Sequence, residues 1–416
     1  MIDGQVNAAQ PRRSRTLLQR WTGVPLYLRI VGGVGLGVLV GLPAGEGVAG
    51  LSVFASIVLR LLAALAPALI SAAILRALIG ATLPRGTVGR MAWLLATNTL
   101  VAIVIGLVVA NLLQPGLGAT LTAPGTGSGP PTGLLAKVLD AFPKSLLGPL
   151  SDGGNAMAAV MVALAFGIAL RPLRETPVRG VGDLIEIAFQ ALLTVLRWII
   201  ELIPVAVFCM VASIAGRHGI AGFGALGAFV AAVLVALAVQ VCFYLLRVGI
   251  GSWVNPFAML RGVRDALVMA FSTASSTATM PVTYGALVLH VGVHERSANL
   301  GALVGANFNN DGTALYEAVS ALFVAQVLGL ELSLFQQLLV VVTSVVASVG
   351  AAGIPEAGLV TMTLVFSAVG LPVEFIGALL VVDWFLDRCR TAVNVLGDVT
   401  VACLLDGRRP AGSGVT

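Results

Sequence analysis

STASSTATMP (Ser272–Pro281) and ASVGAAGIP (Ala347–Pro355) each interrupt an apolar run that is otherwise long enough to cross a bilayer. A crossing helix needs about 20 apolar residues, and the runs at 256–290 and 334–366 are longer than that. Gly, Ser, Thr and Pro at their centres weaken the helix. Backbone freed from helical hydrogen bonds is tolerated at membrane depth only when it is buried in protein or lines a watery cavity. Each broken run precedes a span with polar residues inside it, 297–328 and 371–405. One run of small residues would be read as close helix packing. Two such runs in corresponding positions predict opposed hairpin tips, the sequence pointer to a carrier's substrate site.

Composition agrees with a membrane setting. Of 416 residues, 58% are hydrophobic and 10% are charged, against about 25% charged in a soluble domain. So few charges cannot cover a soluble surface of this size. That excludes a soluble enzyme, a nucleic-acid-binding protein and a disordered chain. The net charge of +5 comes from single basic residues between apolar runs, as expected of loops biased toward the cytoplasm. Cys209, Cys242, Cys389 and Cys403 are far apart in apolar segments and read as buried, inert thiols. His218, His290 and His294 form no metal-binding pattern.

Charge placement sets the expected topology. Residues 1–25, with Arg12, Arg13, Arg15 and Arg20, read as a cytoplasmic tail rather than a signal peptide. Spans 1 and 2 are expected in 26–79, span 3 in 91–113 and a flexible extracellular loop in 115–133. Spans 4 and 5 fall in 134–215, the second as one helix over Asp183–Ala215. Span 6 falls in 222–249, span 7 in 297–328 and span 8 in 371–405, before a cytoplasmic tail at 406–416. Alternation then puts Arg76, Arg85, Arg90, Arg171, Arg261 and Arg408 inside, and Lys137, Lys144 and Arg217 outside. It works only if 256–290 is a hairpin from the cytoplasm and 334–366 a hairpin from outside. The expected fold is an all-α polytopic membrane protein of eight transmembrane helices and two re-entrant helical hairpins. Both termini are expected in the cytoplasm and the chain in the cell inner (plasma) membrane.

The last span carries the charge. At about 100° per residue, Asp383, Asp387, Arg390, Thr391, Asn394 and Asp398 share an arc about 100° wide, with Arg388 outside it. Phe385, Cys389, Ala392, Leu396 and Val399 form the apolar back. An ionised group at membrane depth costs roughly 2.5–3.5 kcal/mol or more, so this face needs partners. Asp387 and Arg390, at i,i+3, suit an internal ion pair. In span 7, Asn309-Asn310-Asp311-Gly312 is turn chemistry within a would-be helix. Unwinding there exposes the oxygens that a hard cation takes. Glu317 lies beyond it with no charged neighbour within a turn, which makes it a candidate proton carrier.

NNDGTALYEAVSALFVAQ (Asn309–Gln326), SVGAAGIPEAGLVTM (Ser348–Met362) and VDWFLDRCRTAVNVLGD (Val382–Asp398) resemble the glutamate transporter family, the dicarboxylate/amino acid:cation symporters. The serine-rich stretch before Met280-Pro281 fits as well. The resemblance covers most of 26–405 in layout. It implies a homotrimer in which spans 1, 2, 4 and 5 form a scaffold, while spans 3, 6, 7, 8 and both hairpins move. It implies that Arg390 binds a side-chain carboxylate and Asp387 an amino group. Ser275, Ser276 and Asn394 would hold the α-carboxylate, with Thr313, Thr391, Ile354 and Gly358 nearby. Both Arg390 and Asp387 present together imply glutamate or aspartate as the substrate.

For cations the resemblance implies one Na⁺ site at Gly305, Asn309, Asn394 and Asp398, and a second at Asn98, Thr99, Asn309 and Asp311. A third would use Asn307 with the carbonyls of Ser348, Val349 and Ala351. Glu317, with Ala274 and Arg388, resembles the animal branch, where that glutamate carries a proton and K⁺ returns the empty carrier. Asn310 replaces the family's Met, Asn307 replaces a usual Thr, and Leu95 stands where some members have Tyr. More oxygen and less sulfur point to altered ion choice, including H⁺ in place of Na⁺. The expected function is Na⁺- and/or H⁺-coupled symport of acidic amino acids. Proton-coupled C4-dicarboxylate or neutral amino acid symport and an anion-conducting channel are the alternatives. Two opposed hairpins imply alternating access rather than a continuous pore. An enzyme would need a nucleophile–base pair or a metal triad, and Ser272–Thr279 has no His nearby.

Overall fold

The computed structural model describes residues 23–80, 88–119, 145–146, 148, 156–350 and 357–407. The tail at 1–22, Arg85, the loop from residue 120 with Lys137 and Lys144, the second hairpin tip with Ala351 and Ile354, and the tail after 407 lie outside the described residues. Among the described residues all regular structure is helical. The α-helices are α1 (Leu26–Ala44), α2 (Ser52–Gly80), α3 (Val88–Leu113), α4 (Ala156–Leu170), α5 (Val181–Ile200), α6 (Ile203–His218) and α7 (Gly224–Gly251). They continue with α8 (Pro256–Gly262), α9 (Arg264–Thr273), α10 (Ser276–Ala286), α11 (Glu295–Ala298), α12 (Asp311–Val327), α13 (Leu334–Gly350), α14 (Ala357–Ala368) and α15 (Ile376–Asp406). Among the described residues, five helical stretches are long and apolar enough to cross a membrane, with α5 and α6 counted as one. The later segments are interrupted or carry charge, as their sequence demands.

The interruptions have local causes. Asn255 accepts hydrogen bonds from the Phe257 and Ala258 N–H groups and Pro256 follows as the first helical residue, so α8 starts there. Helix α9 ends at Ala274, which adopts the left-handed conformation at φ 50°. Ser275 then caps α10 by accepting from the Ala278 N–H at 3.2 Å. Helices α9 and α10 fold against each other and against α15. In the next segment α11 passes into π and 3₁₀ turns, and α12 begins only at Asp311. Asn309-Asn310 therefore falls at a break in the chain's helical path, where orphaned backbone groups are available to side chains.

Two differences from the sequence reading have simple reasons. The span expected over Asp183–Ala215 is two helices, broken at Glu201-Leu202. Pro204 lacks an N–H and sits in the first turn of α6. Glu201 at the break pairs with Arg29, which is buried within α1. Of the four thiols, Cys209 and Cys403 are buried, but Cys242 is exposed on α7 and Cys389 is half-buried.

Helices pack in two sets. Helix α6 contacts α1 and α2, α2 contacts α5, and α4 lies on α5. Helices α3, α7, α12 and α15 contact one another, with the α9–α10 and α13–α14 pairs around them. The α1–α6 seam is unusually close. A Cβ placed at Gly33 would lie 2.7 Å from the Pro204 carbonyl oxygen, one at Gly37 would lie 2.8 Å from Val211 Cβ, and one at Gly41 would strike the Ala212 carbonyl oxygen. Such small-residue contacts are how membrane helices gain packing without a hydrophobic driving force between them.

Candidate substrate and cation site

The centre of the second set is polar. Arg390 is fully buried on α15. Its guanidinium donates to Asp383 Oδ1 at 2.9 Å and to Asp387 Oδ1 at 2.8 Å. The plane lies over the Tyr316 ring, 3.9 Å from its centroid. Gly358 on α14 faces the other side, where an added Cβ would come within 3.2–3.3 Å of the guanidinium. The i,i+3 pair expected within the helix is present, and Asp383 adds a second carboxylate two turns away. Thr391 donates to the Asp387 carbonyl. Arg388, on another side of α15, donates to the carbonyls of Phe271 and Ser272 and lies 4.5 Å from the Tyr27 ring centroid. It thereby ties the first hairpin tip to α15.

Ser275 and Ser276 sit at that tip, both buried, and the Ser276 hydroxyl oxygen has no partner among the described residues. A cavity of about 430 Å³ runs between α1, the tip and α15, lined by Tyr27, Ile30, Thr273, Ala274, Asp387 and Arg388. Asn394 closes the base of the arrangement. Its carbonyl-type oxygen accepts from the Gly312 N–H at 2.7 Å, and its amide nitrogen lies 3.4 Å from both Asn310 Oδ1 and Thr313 Oγ1.

The expected cation ligands divide. Asn309, Asn394 and Asp398 come together: the Asn309 amide donates to the Asn394 carbonyl at 2.9 Å and to Asp398 Oδ1 at 3.0 Å. The Gly305 backbone adjoins them, since a Cβ there would lie 3.7 Å from Asp398 Oδ1. Asn309 Oδ1 is buried without a partner among the described residues, which leaves an oxygen for a cation. Thr99 donates to Asp311 Oδ1 at 2.6 Å, and the Tyr244 hydroxyl donates to Asp311 Oδ2. Asn98 does not join them through its oxygen, which accepts instead from Arg247. Asn307 is exposed and donates to Leu303 within its own turn, away from Ser348. It is Asn310 that reaches the Ser348 carbonyl, at 2.9 Å. Val349 is the last residue but one of α13, and only its backbone is described.

Tyr244 and Arg247 escaped the sequence reading because both stand alone in an apolar span. Their spacing, three residues apart on one helix face, was the available signal. Glu317 is fully buried, beside the hydroxyls of Thr361 and Ser344 and within reach of the Arg390 charge. Neither of its oxygens makes a hydrogen bond of ordinary geometry among the described residues.

Gly397 holds this centre shut. An added Cβ would strike Asn309 Nδ2 and lie 2.8 Å from the Tyr244 hydroxyl oxygen. Overpacking of this kind costs about 1–3 kcal/mol. Gly397→Ala is therefore expected to lower the thermal unfolding midpoint of the purified protein and to shift Asn309. An unchanged midpoint would show that the pocket yields freely.

Comparison with known proteins places these residues in context. The model of the sodium:dicarboxylate symporter family matches residues 26–408. Among curated relatives, excitatory amino acid transporter 4 of Rattus norvegicus is 39% identical over 259 residues, which is 62% of this chain and 46% of that protein. An excitatory amino acid transporter of Caenorhabditis elegans is 38% identical over 251 residues, 60% of this chain and 50% of that protein. Excitatory amino acid transporter 1 of Homo sapiens is 39% identical over 256 residues, 59% of this chain and 46% of that protein. The chain spans about half the length of the curated relatives it matches.

Proposed function

We propose, on the premise that the chain belongs to the sodium:dicarboxylate symporter family, that it is a secondary active carrier of glutamate or aspartate driven by Na⁺, H⁺ or both. One observation carries the reading: the buried charge is out of balance. Asp311, Asp383, Asp387 and Asp398 lie in the interior, with the guanidinium groups of Arg390 and Arg247 beside them. Acidic groups outnumber guanidinium groups there by four to two, and an anionic substrate widens the deficit. An uncompensated buried charge costs several kcal/mol. Entry of the substrate is thus favourable only when cations enter with it, as Na⁺ at Asn309, Asn394 and Asp398 or as H⁺ on a carboxyl group.

Substrate binding then exchanges ion pairs. Arg390 releases Asp387 and grips the substrate's side-chain carboxylate, because a guanidinium matches a carboxylate with two parallel bonds. The freed Asp387 takes the substrate ammonium. Ser276, whose hydroxyl has no partner among the described residues, and Asn394 hold the α-carboxylate. Thr313, Thr391 and Gly358 complete the enclosure. The helix set of α1, α2, α4, α5 and α6 acts as scaffold and the rest as the moving unit, in a homotrimer in the plasma membrane with both termini in the cytoplasm. Proteoliposome uptake of labelled glutamate and aspartate, under Na⁺, H⁺ and K⁺ gradients imposed singly, tests the reading. Uphill accumulation driven by Na⁺ or H⁺ is expected. Conductance without concentrative uptake would replace it with a channel.

Glu317 is the proton carrier in this scheme, with K⁺ as the returning ion. Glu317→Gln keeps the size of the side chain and removes its proton chemistry. Homoexchange of substrate is expected to persist, while net uptake loses its pH dependence. A wild-type pH profile would remove Glu317 from that role.

A further inference from the structure

Arg247 stands where a cation is needed at Asp311. Asp311 is fully buried at the start of α12, and the Thr99 and Tyr244 hydroxyls donate to its two oxygens. Neutral donors do not cancel its charge, and a buried carboxylate that stays ionised requires a cationic partner. Arg247 is the cation placed beside this pocket: it stands one turn after Tyr244 on α7 and donates to Asn98, the neighbour of Thr99, so it adjoins both residues that bond Asp311. The guanidinium is held in place. It donates to Asn98 Oδ1, to Thr97 Oγ1 at 2.6 Å and to the Leu94 carbonyl at 3.3 Å, and it lies 5.8 Å from the Phe243 ring centroid. Two of these oxygens, the Asn98 amide oxygen and the Leu94 carbonyl, are of the neutral type that a hard metal cation takes. They are already satisfied by the chain itself. Asn98 Nδ2 is left buried without a partner among the described residues, so the side chain is oriented by the guanidinium rather than by its own second hydrogen bond.

We infer that Arg247 is the resident cation of the Asp311 pocket: a tethered guanidinium, rather than a metal ion from solution, balances Asp311 throughout the transport cycle. The inference rests on the cation-coupled reading above and narrows it. A tethered charge makes the return journey with the protein, so it contributes nothing to the net charge moved per cycle. The Asp398–Asn309 pocket, which has no guanidinium bonded to it among the described residues, is then the one that recruits an ion from solution. Arg247 thus sets how many external cations accompany each substrate.

Equilibrium binding of radioactive Na⁺ to the purified full-length protein tests this without requiring transport. The Na⁺ count that depends on Asp311 is expected to be zero in the wild type, so Asp311→Asn leaves the count unchanged. In Arg247→Gln one further Na⁺ per protomer is expected, and it disappears in the Arg247→Gln/Asp311→Asn double variant. Arg247→Lys, which keeps the charge, is expected to keep the wild-type count. In proteoliposomes the reversal potential of Arg247→Gln is expected to shift by one elementary charge per substrate. One charge changes the limiting accumulation about 50-fold per 100 mV. A wild-type protein that loses a bound Na⁺ on Asp311→Asn overturns the inference, even if Arg247→Gln fails to fold. An unchanged count in a folded Arg247→Gln overturns it as well. Absence of substrate uptake under every gradient would instead defeat the carrier reading, and the binding counts would still decide the role of Arg247.

Discussion

Replacing Arg390 by cysteine is expected to abolish uptake of acidic substrates and to admit small neutral amino acids. Two charge-assisted hydrogen bonds to a substrate carboxylate contribute roughly 3–6 kcal/mol. Their loss corresponds to a fall of more than about a hundredfold in apparent affinity. The structure adds a second cost. Arg390 is fully buried between Asp383 and Asp387, and removing one member of a buried ion pair costs roughly 3–5 kcal/mol. Uptake therefore has to be normalised to folded protein in the membrane. The selectivity change separates the two effects: a merely destabilised carrier keeps whatever substrate preference the wild type has. Competition by labelled serine and alanine is the measurement, and unchanged acidic selectivity would remove Arg390 from the substrate site.

Asp398→Asn is expected to raise the Na⁺ concentration for half-maximal uptake at least about tenfold, or about 1.4 kcal/mol. The substitution keeps the shape of the side chain. It removes the charge from the oxygen beside Asn309, the Asn394 carbonyl and Gly305. A carboxylate oxygen is the strongest attraction that this pocket offers a cation, and a neutral amide supplies only a dipole. The Na⁺ titration of uptake decides the matter, and superimposable curves would rule out Asp398 as a ligand. The variant relieves a buried negative charge, so its thermal stability is expected to hold or rise while cation affinity falls. That opposite movement distinguishes a ligand from a structural carboxylate.

Much of this architecture was legible because it depends on residues close together in sequence. The chain breaks at Ala274-Ser275 and ahead of Asp311 follow from serine and asparagine chemistry within a few positions. The buried face of α15 follows from helical periodicity, and Asp383, Asp387, Arg390, Asn394 and Asp398 are all buried. What escaped depends on partners far apart in the chain. Asn98 carries no mark showing that Arg247, 149 residues later, takes its oxygen. Asn307 and Asn310 have the same side chain, yet one turns outward to Leu303 and the other reaches Ser348. That choice is made by the direction of the chain through a short 3₁₀ turn, which residue type does not reveal. Tyr244 and Arg247 looked like ordinary members of an apolar span until α7 was packed on α3 and α12.

The glycine seam between α1 and α6 has a mechanical meaning. With backbone pressed on backbone at Gly33, Gly37 and Gly41, no flexible side chain is present to yield, and lengthwise slip by less than a helical turn produces collision. The two helices behave as a stiff strut. Sliding must be taken up at the start of α1, one turn before the seam on the same stripe, where Tyr27 and Ile30 meet the hairpin tip and α15 across a cavity and a ring-on-guanidinium contact. One helix thus serves as an anchor along most of its length and as a bearing at its first turn.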